Sequence, residues 1–499
     1  MAKNNDQIRK CNGQWSVPDG TAVPGQLTID YEKGTILLEI YSAIDIEGNN
    51  AELLFNSINA VRNYYVDVIW GFAGELGDVT LFQCSWHSSE GVGVGLIINR
   101  YRAEFLIRDI HLRKGFRVKA AKFNYPYLGG FFFGFNNLNL LDEIKDLTIL
   151  GDYYNKEMVV TDNLKLNYGS DIKEFFEDLG SKKRVQVIDE VVFKYNESVP
   201  LKDLMLDALN FRHLLEFSYG SRLPIQVKEI EFADLSDEQK LRKRLHNEGE
   251  NQYYHITNFN LNHAELIQMG SLNQNEMLFS RWTLSLEELT AVIQRWFKLS
   301  NLKNVADYYL ESVNERTGMK SPQTHVKINN LFLNLIQGLE DFYREMLEPQ
   351  AVKKDRELFD RKKGTILKDI QDPALKQWLN NTFKFTRYVS LEDKLQAIVD
   401  HCRSPLETVF KPLDWTNFPT ASKDLRHTLS HGMNKSQHLS ADLYLNYYMA
   451  KLLLTNCFLQ ALKISPNFYR ATLQTNYLHN ELFGQIITRQ KAAAKRINV

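Results

Sequence analysis

Residues 25–42, GQLTIDYEKGTILLEIYS, alternate apolar and polar side chains on either side of a Glu-Lys-Gly turn. A period of two places every second side chain on one face, so the stretch predicts a β-hairpin with Leu27, Ile29 and Tyr31 on its inner face. Strand-like runs continue at 79–86 (VTLFQCSW), 94–112 (VGLIINRYRAEFLIRDIHL) and 116–128 (FRVKAAKFNYPYL). An antiparallel β-rich domain over residues 1–150 follows from this pattern. A mixed segment over 151–280 adds strands at RVQVIDEVVFKY and IQVKEIEF around a helix at 201–220.

Glycine use then changes: 21 of the 26 glycines precede Arg281. Turns crowd the first half and helices fill the second. SLEELTAVIQRWFKL opens with a capping-type Ser285-x-x-Glu288. Residues 327–347, KINNLFLNLIQGLEDFYREML, carry Ile328, Leu331, Phe332, Leu335, Leu339, Phe342 and Met346 at helical spacing. The helix from Ser440 is apolar on more than one face, which predicts a central position or a subunit contact. The fold class is thus α+β and multidomain, with an all-α bundle over 281–499.

At 499 residues with 44% hydrophobic content, the chain is long enough for two or three cores. Its net charge of −1 excludes the global basic field of a nucleic-acid coat protein, so any RNA contact must come from a local patch. Lys353, Lys354, Arg361, Lys362 and Lys363 form one such patch, and Arg489, Lys491, Lys495 and Arg496 another. Each is also what a solvated face looks like. The four cysteines have no C-x-x-C spacing, which argues against a zinc ribbon or a disulfide framework and fits a reducing cytoplasm. No apolar run approaches membrane-spanning length, and no membrane association is expected.

Chemistry concentrates at 420–432, TASKDLRHTLSHG. Thr420 after Pro419 reads as an N-cap, and Gly432 as a stop just past His431. At about 100° per residue, His427 and His431 point away from Leu425 and Leu429. Arg426 can fork onto two phosphate oxygens while an imidazole moves a proton at the same centre. RNA supplies its own nucleophile in the 2′-OH, so no metal or cofactor is required. No other arginine in the chain is followed by histidine after four, five or six residues. The alternatives are a solvated surface helix, or a zinc site built by His427, His431 and His438. Glu340 and Asp341 are candidates to orient Arg426, with a surface ion pair as the plain reading.

Other features carry less. Gly91, Gly93 and Gly95 lack G-x-G-x-x-G spacing and a following helix, which predicts a hairpin rather than a phosphate loop. GGFFFGF at 129–135 predicts core or inter-domain packing, with a ligand platform as the lesser alternative, and the charged stretch 234–252 an exposed connector, with a recognition loop as the lesser alternative.

Residues 281–499 resemble the ApeA-like branch of the HEPN superfamily, whose R-x4-6-H motif is matched by Arg426 and His431. GQWSVPDG, PGQLTIDYEKGTILLEI and GDVTLFQCSW resemble the ApeA N-terminal domain. The resemblance implies an anti-phage protein of abortive infection. Its metal-independent endoribonuclease would leave 2′,3′-cyclic phosphate and 5′-hydroxyl ends, with transfer RNA as the leading substrate. It also implies a homodimer or higher homo-oligomer through the helical domain and a β-rich half that senses a phage-derived trigger. Arg426 and His431 would be catalytic, and His427 stands where the family favours a polar residue. The competing readings are a non-catalytic HEPN module that dimerises or binds RNA, and a β-domain ligand binder with a structural helical half.

Overall fold

The computed structural model describes residues 8–31, 33–41, 65–92, 96–125, 128–133, 156–177, 182–220, 222–236, 239, 253–258, 277–280, 283–299, 302–312, 328–385, 389–409, 413–430, 439–465 and 483–492. The chain divides into two compact units, residues 1–212 with 223–272 and residues 213–222 with 273–499.

Among the described residues, the first unit is built on one antiparallel sheet of 13 strands. They are β1 (Ile8–Ser16), β2 (Val23–Asp30), β3 (Thr35–Ile40), β4 (Tyr65–Phe72), β5 (Asp78–Val92), β6 (Leu96–Ala103), β7 (Phe105–Arg108), β8 (Arg117–Asn124), β9 (Lys156–Val159), β10 (Leu164–Glu177), β11 (Lys182–Pro200), β12 (Gln226–Phe232) and β13 (Tyr253–Asn258). The expected hairpin is β2–β3, with Asp30 opposite Thr35 and Gly25 opposite Ile40. Gly34 takes the left-handed conformation in its turn (φ 60°), and Asp30 Oδ1 accepts the backbone N–H of Lys33 at 2.8 Å. Leu27, Ile29, Ile36, Leu38 and Ile40 all face inward. Tyr31 does not: the strand ends at Asp30, and the ring stays exposed in the turn.

The pairings β4–β1–β2–β3–β6–β5–β4 close on themselves, making a six-stranded barrel. Closure removes two sheet edges that would otherwise expose unpaired backbone groups. Trp15 fills the interior, fully buried among Leu27, Ile69, Leu81 and Tyr101. It fits because two strands carry glycine against it. A Cβ at Gly71 would lie 2.2 Å from the Trp15 ring, and one at Gly25 would lie 2.9 Å from it. β5 and β6 form the hairpin expected around Gly91, with Val92 opposite Leu96. Gly93 and Gly95 lie outside the described residues.

From β7 the sheet continues through β13, β12, β8, β11 and β10 to β9. The short helix α1 (Leu128–Phe133) brings Phe131 and Phe132 onto Tyr168 and Phe211. Phe211 belongs to α2 (Leu201–Tyr219) and also meets Tyr125 and Phe193. The described part of the aromatic run 129–135 is therefore core packing, as its composition predicts. The stretch 234–252 lies mostly outside the described residues.

The second unit is helical. It contains α3 (Leu286–Lys298), α4 (Lys303–Glu311), α5 (Ile328–Phe342), one π-helical turn (Tyr343–Leu347), α6 (Glu348–Lys368), α7 (Pro373–Phe385), α8 (Leu391–Val409), α9 (Phe418–Ser430) and α10 (Leu439–Ala461). The Ser285–Glu288 capping box forms in both directions, at 3.1 and 2.8 Å. α10 is central, with Leu452, Leu453 and Leu454 buried in succession, so every face meets protein. Gly338 of α5 lets that helix approach closely: a Cβ there would lie 3.1 Å from Leu454. The Cys402 and Cys457 thiols are buried, free of any disulfide and in sulfur hydrogen-bond contact at 3.7 Å, and burial pushes the Cys457 thiol up.

Gly71→Ala is expected to destabilise the barrel unit by about 1–3 kcal/mol, the usual cost of overpacking. The measurement is a urea or thermal midpoint, and Trp15→Leu in the same chain should restore part of the loss. An unchanged midpoint would show that the Trp15 ring does not occupy the space beside Gly71.

Candidate functional site

α9 begins at Phe418, two residues before the expected cap. Asn417 stands at the cap position, its carbonyl accepting the N–H of Ala421 at 3.0 Å, and Pro419 is tolerated because a first-turn residue has no intrahelical acceptor for an N–H. Thr420 is thus inside the helix rather than capping it. Its hydroxyl donates to Glu392 Oε1 of α8 at 2.7 Å. Lys423, one turn on, reaches Glu392 Oε2 at 2.7 Å. These two contacts hold the Glu392 carboxyl below its ordinary range, and Glu392 in turn raises Lys423.

The opposite side of α9 is buried. Ser422 donates to Asn446 of α10 at 3.2 Å, and Leu425 packs inward. Fastened to α8 and α10, α9 presents Arg426 to α5. Arg426 Nη1 lies 2.6 Å from Glu340 Oε2, and Nη2 reaches Gln337 Oε1 at 3.5 Å. Gln337 passes the connection on, donating through Nε2 to Asp341 Oδ1 at 3.0 Å. Asp341 also holds Arg344 Nη2 at 2.6 Å. On its other oxygen Glu340 faces Lys394 Nζ of α8 at 3.3 Å.

The Arg426–Glu340 pair is more than a solvated surface contact. The Glu340 side chain is 14% exposed and Arg426 33%. A short, charge-assisted contact in partly excluded water sets the guanidinium's direction while leaving a third of it accessible. Removal of Glu340 would leave Arg426 and Lys394 near one another without their shared anion. Among the described residues, Asp341 reaches Arg426 through Gln337.

After Phe342, one residue past Asp341, the helix widens into the π turn, where the N–H of Glu348 bonds to the carbonyl of Tyr343. Single π turns inside α-helices frequently mark functional positions, because the inserted residue re-aims the side chains around it. Here it follows the residues that position Arg426.

His427 is exposed on α9, one residue beyond Arg426. α9 ends at Ser430, so His431 is the next residue in the chain, and it lies outside the described residues with Gly432 and His438. Among the described residues, no group of three His, Cys, Asp or Glu side chains converges to hold a metal ion. No helix among them is long and apolar enough to cross a membrane.

Sequence inspection singled out Arg426, Glu340 and Asp341 but passed over Gln337, Arg344, Lys394 and Glu392. A signal existed for two of them. Gln337, Glu340, Asp341 and Arg344 fall at i, i+3, i+4 and i+7, a polar stripe beside the apolar face of the helix. Lys394 had none, since it meets Glu340 across 54 residues of chain.

Comparison with curated proteins and with solved structures gives no match. Two family models do match: ApeA N-terminal domain 1 over residues 10–296 and Apea-like HEPN over residues 333–468. The second span contains Gln337, Glu340, Asp341, Lys394, Arg426 and His431. With the first model covering more than half of the chain and the second the bundle that positions Arg426, the chain belongs to the ApeA family and carries a HEPN domain of the defence-nuclease type.

Proposed function

We propose that the protein is an endoribonuclease of abortive infection, cutting RNA by attack of a 2′-OH on the adjacent phosphorus. The reading is carried by one observation: within a HEPN domain, an arginine separated by four residues from a following histidine is held by a carboxylate yet left partly open. Arg426 binds the scissile phosphate and steadies the charge that develops on its oxygens. As the 2′-O–P bond forms, the P–O5′ bond breaks. The proton of the 2′-OH goes to a base, and the 5′-oxygen takes one from an acid. The products are a 2′,3′-cyclic phosphate and a 5′-hydroxyl, with no metal ion taking part.

His431 serves as that acid or base, since an imidazole titrates near neutrality. A second copy of the chain brings a second Arg426–His431 pair, so a homodimer supplies both proton-transfer roles. His427 lies beside Arg426 and contacts the phosphate or a neighbouring ribose. Transfer RNA is the substrate class, the β-rich half senses a phage-derived trigger, and the protein works in the cytoplasm. Glu340 is a positioning residue: it aligns Arg426 without touching RNA.

His431→Ala and Arg426→Ala are expected to lower RNA cleavage by about 10²-fold or more, the usual scale for losing a general acid–base or an oxyanion donor. Sequencing of RNA ends with capture of 2′,3′-cyclic phosphates, from phage-infected cells expressing each form, is the check. New cyclic-phosphate ends only in the wild type support the reading and name the substrate. Phage restriction retained by both variants without such ends would instead identify a binding module.

Glu340→Gln keeps the side-chain shape but removes the charge. It should lower cleavage at saturating RNA by roughly tenfold, about 1.4 kcal/mol, while Glu340→Asp recovers part of it. If Glu340 were only structural, kcat would follow the folded fraction measured by circular dichroism.

A further inference from the structure

The helical pair α6–α7 is unlike the rest of its unit. From Phe359 to Thr382 no side chain is buried, although both helices are fully formed. Helices of this length gain most of their stability from packing, so a pair with no buried side chain over these residues is a surface built to receive something. Its two ends are rooted beside Arg426. α6 leaves through the π turn that follows Asp341, and the chain returns at α8, whose Glu392 and Lys394 hold Lys423 and Glu340.

The chemistry of the pair points to RNA. Between residues 359 and 382 stand five cations, Arg361, Lys362, Lys363, Lys368 and Lys376, against Asp360, Asp369 and Asp372. None of the five forms an ion pair among the described residues. Asp372, by contrast, is used as the cap of α7, accepting the N–H groups of Ala374 and Leu375 at 2.8 and 3.3 Å. A local excess of two positive charges therefore sits on a chain whose total is −1. Beside it Trp378 is 61% exposed, the largest exposed apolar side chain among the described residues of the unit. Unpaired cations that follow a backbone, with an aromatic face on which a base stacks, are how sequence-tolerant single-strand sites are made.

We infer that the α6–α7 arm is the RNA-holding element of the HEPN domain: its cations grip phosphates and Trp378 stacks on an unpaired base. The inference rests on the ribonuclease reading and adds to it a second contact zone. At 1.5 Å per residue, Arg361 lies about 20 Å and Lys368 about 30 Å along α6 from its start. The arm therefore holds RNA well beyond the scissile phosphate, which favours a structured RNA presenting a loop over a dinucleotide-sized target.

The test uses the full-length His431→Ala protein, which holds RNA without cutting it, and a fluorescently labelled RNA stem-loop read by anisotropy over a salt series. Changing Arg361, Lys362, Lys363 and Lys368 together to Gln should weaken binding at least tenfold and flatten the salt dependence. Trp378→Ala should weaken loop binding about tenfold and leave a blunt duplex of the same length unaffected. Arg361, Lys362, Lys368 and Trp378 are exposed and Lys363 is only partly covered, so the urea midpoint should not move. Equal affinities and salt slopes in parent and arm variants would overturn the inference while leaving the nuclease assignment intact. So would a change of sedimentation with unchanged RNA affinity, which would make the arm a contact between copies. Arm-dependent binding by a wild type that never generates cyclic-phosphate ends would keep the arm and remove the nuclease reading.

Discussion

One carboxylate organises the helical unit. Glu340 is 14% exposed on α5 and faces Arg426 of α9 on one oxygen and Lys394 of α8 on the other. A half-excluded carboxylate needs cations close by, and two half-excluded cations need an anion, so the three helices settle each other's positions. The contact gains in value from what surrounds it. Ser422 and Leu425 fasten the other side of α9, and Gly338 lets α5 approach α10 closely. Arg426 is thus aimed before any ligand arrives, and preorganised donors of this kind avoid the cost of reorganising during the reaction.

The β unit meets a different constraint with the same economy of residue types. Closing six strands leaves an interior to be filled, and Trp15 fills it only because Gly25 and Gly71 carry no Cβ. Composition alone shows a tryptophan and many glycines; their use becomes visible once the strands are paired. The rest of the sheet runs on to β9, so barrel and open sheet share one ladder of hydrogen bonds.

Chain order ties the arm to the site. The helix that supplies Gln337, Glu340 and Asp341 continues through a π turn into the exposed α6, and the helix that supplies Glu392 and Lys394 begins where the arm returns. Whatever the arm holds is tethered to the residues around Arg426. A weakly charged protein can in this way keep its cations local, without the long-range field that would draw in every nucleic acid.

Local pattern determined a good deal here: the β2–β3 hairpin with Leu27 and Ile29 inward, the Ser285–Glu288 box, the buried stripe of α5 and the centrality of α10. Each is a matter of periodicity or of neighbours within a turn or two, where side-chain direction follows from backbone geometry alone. The start of α9 was misjudged because the interaction that claims Thr420 comes from Glu392, 28 residues away. Barrel closure, the glycines against Trp15, the Gln337 relay, the sharing of Glu340 with Lys394 and the exposure of α6–α7 were settled by tertiary structure. These depend on which distant elements meet, and a hydrogen bond or an ion pair across dozens of residues leaves no period in the sequence to read.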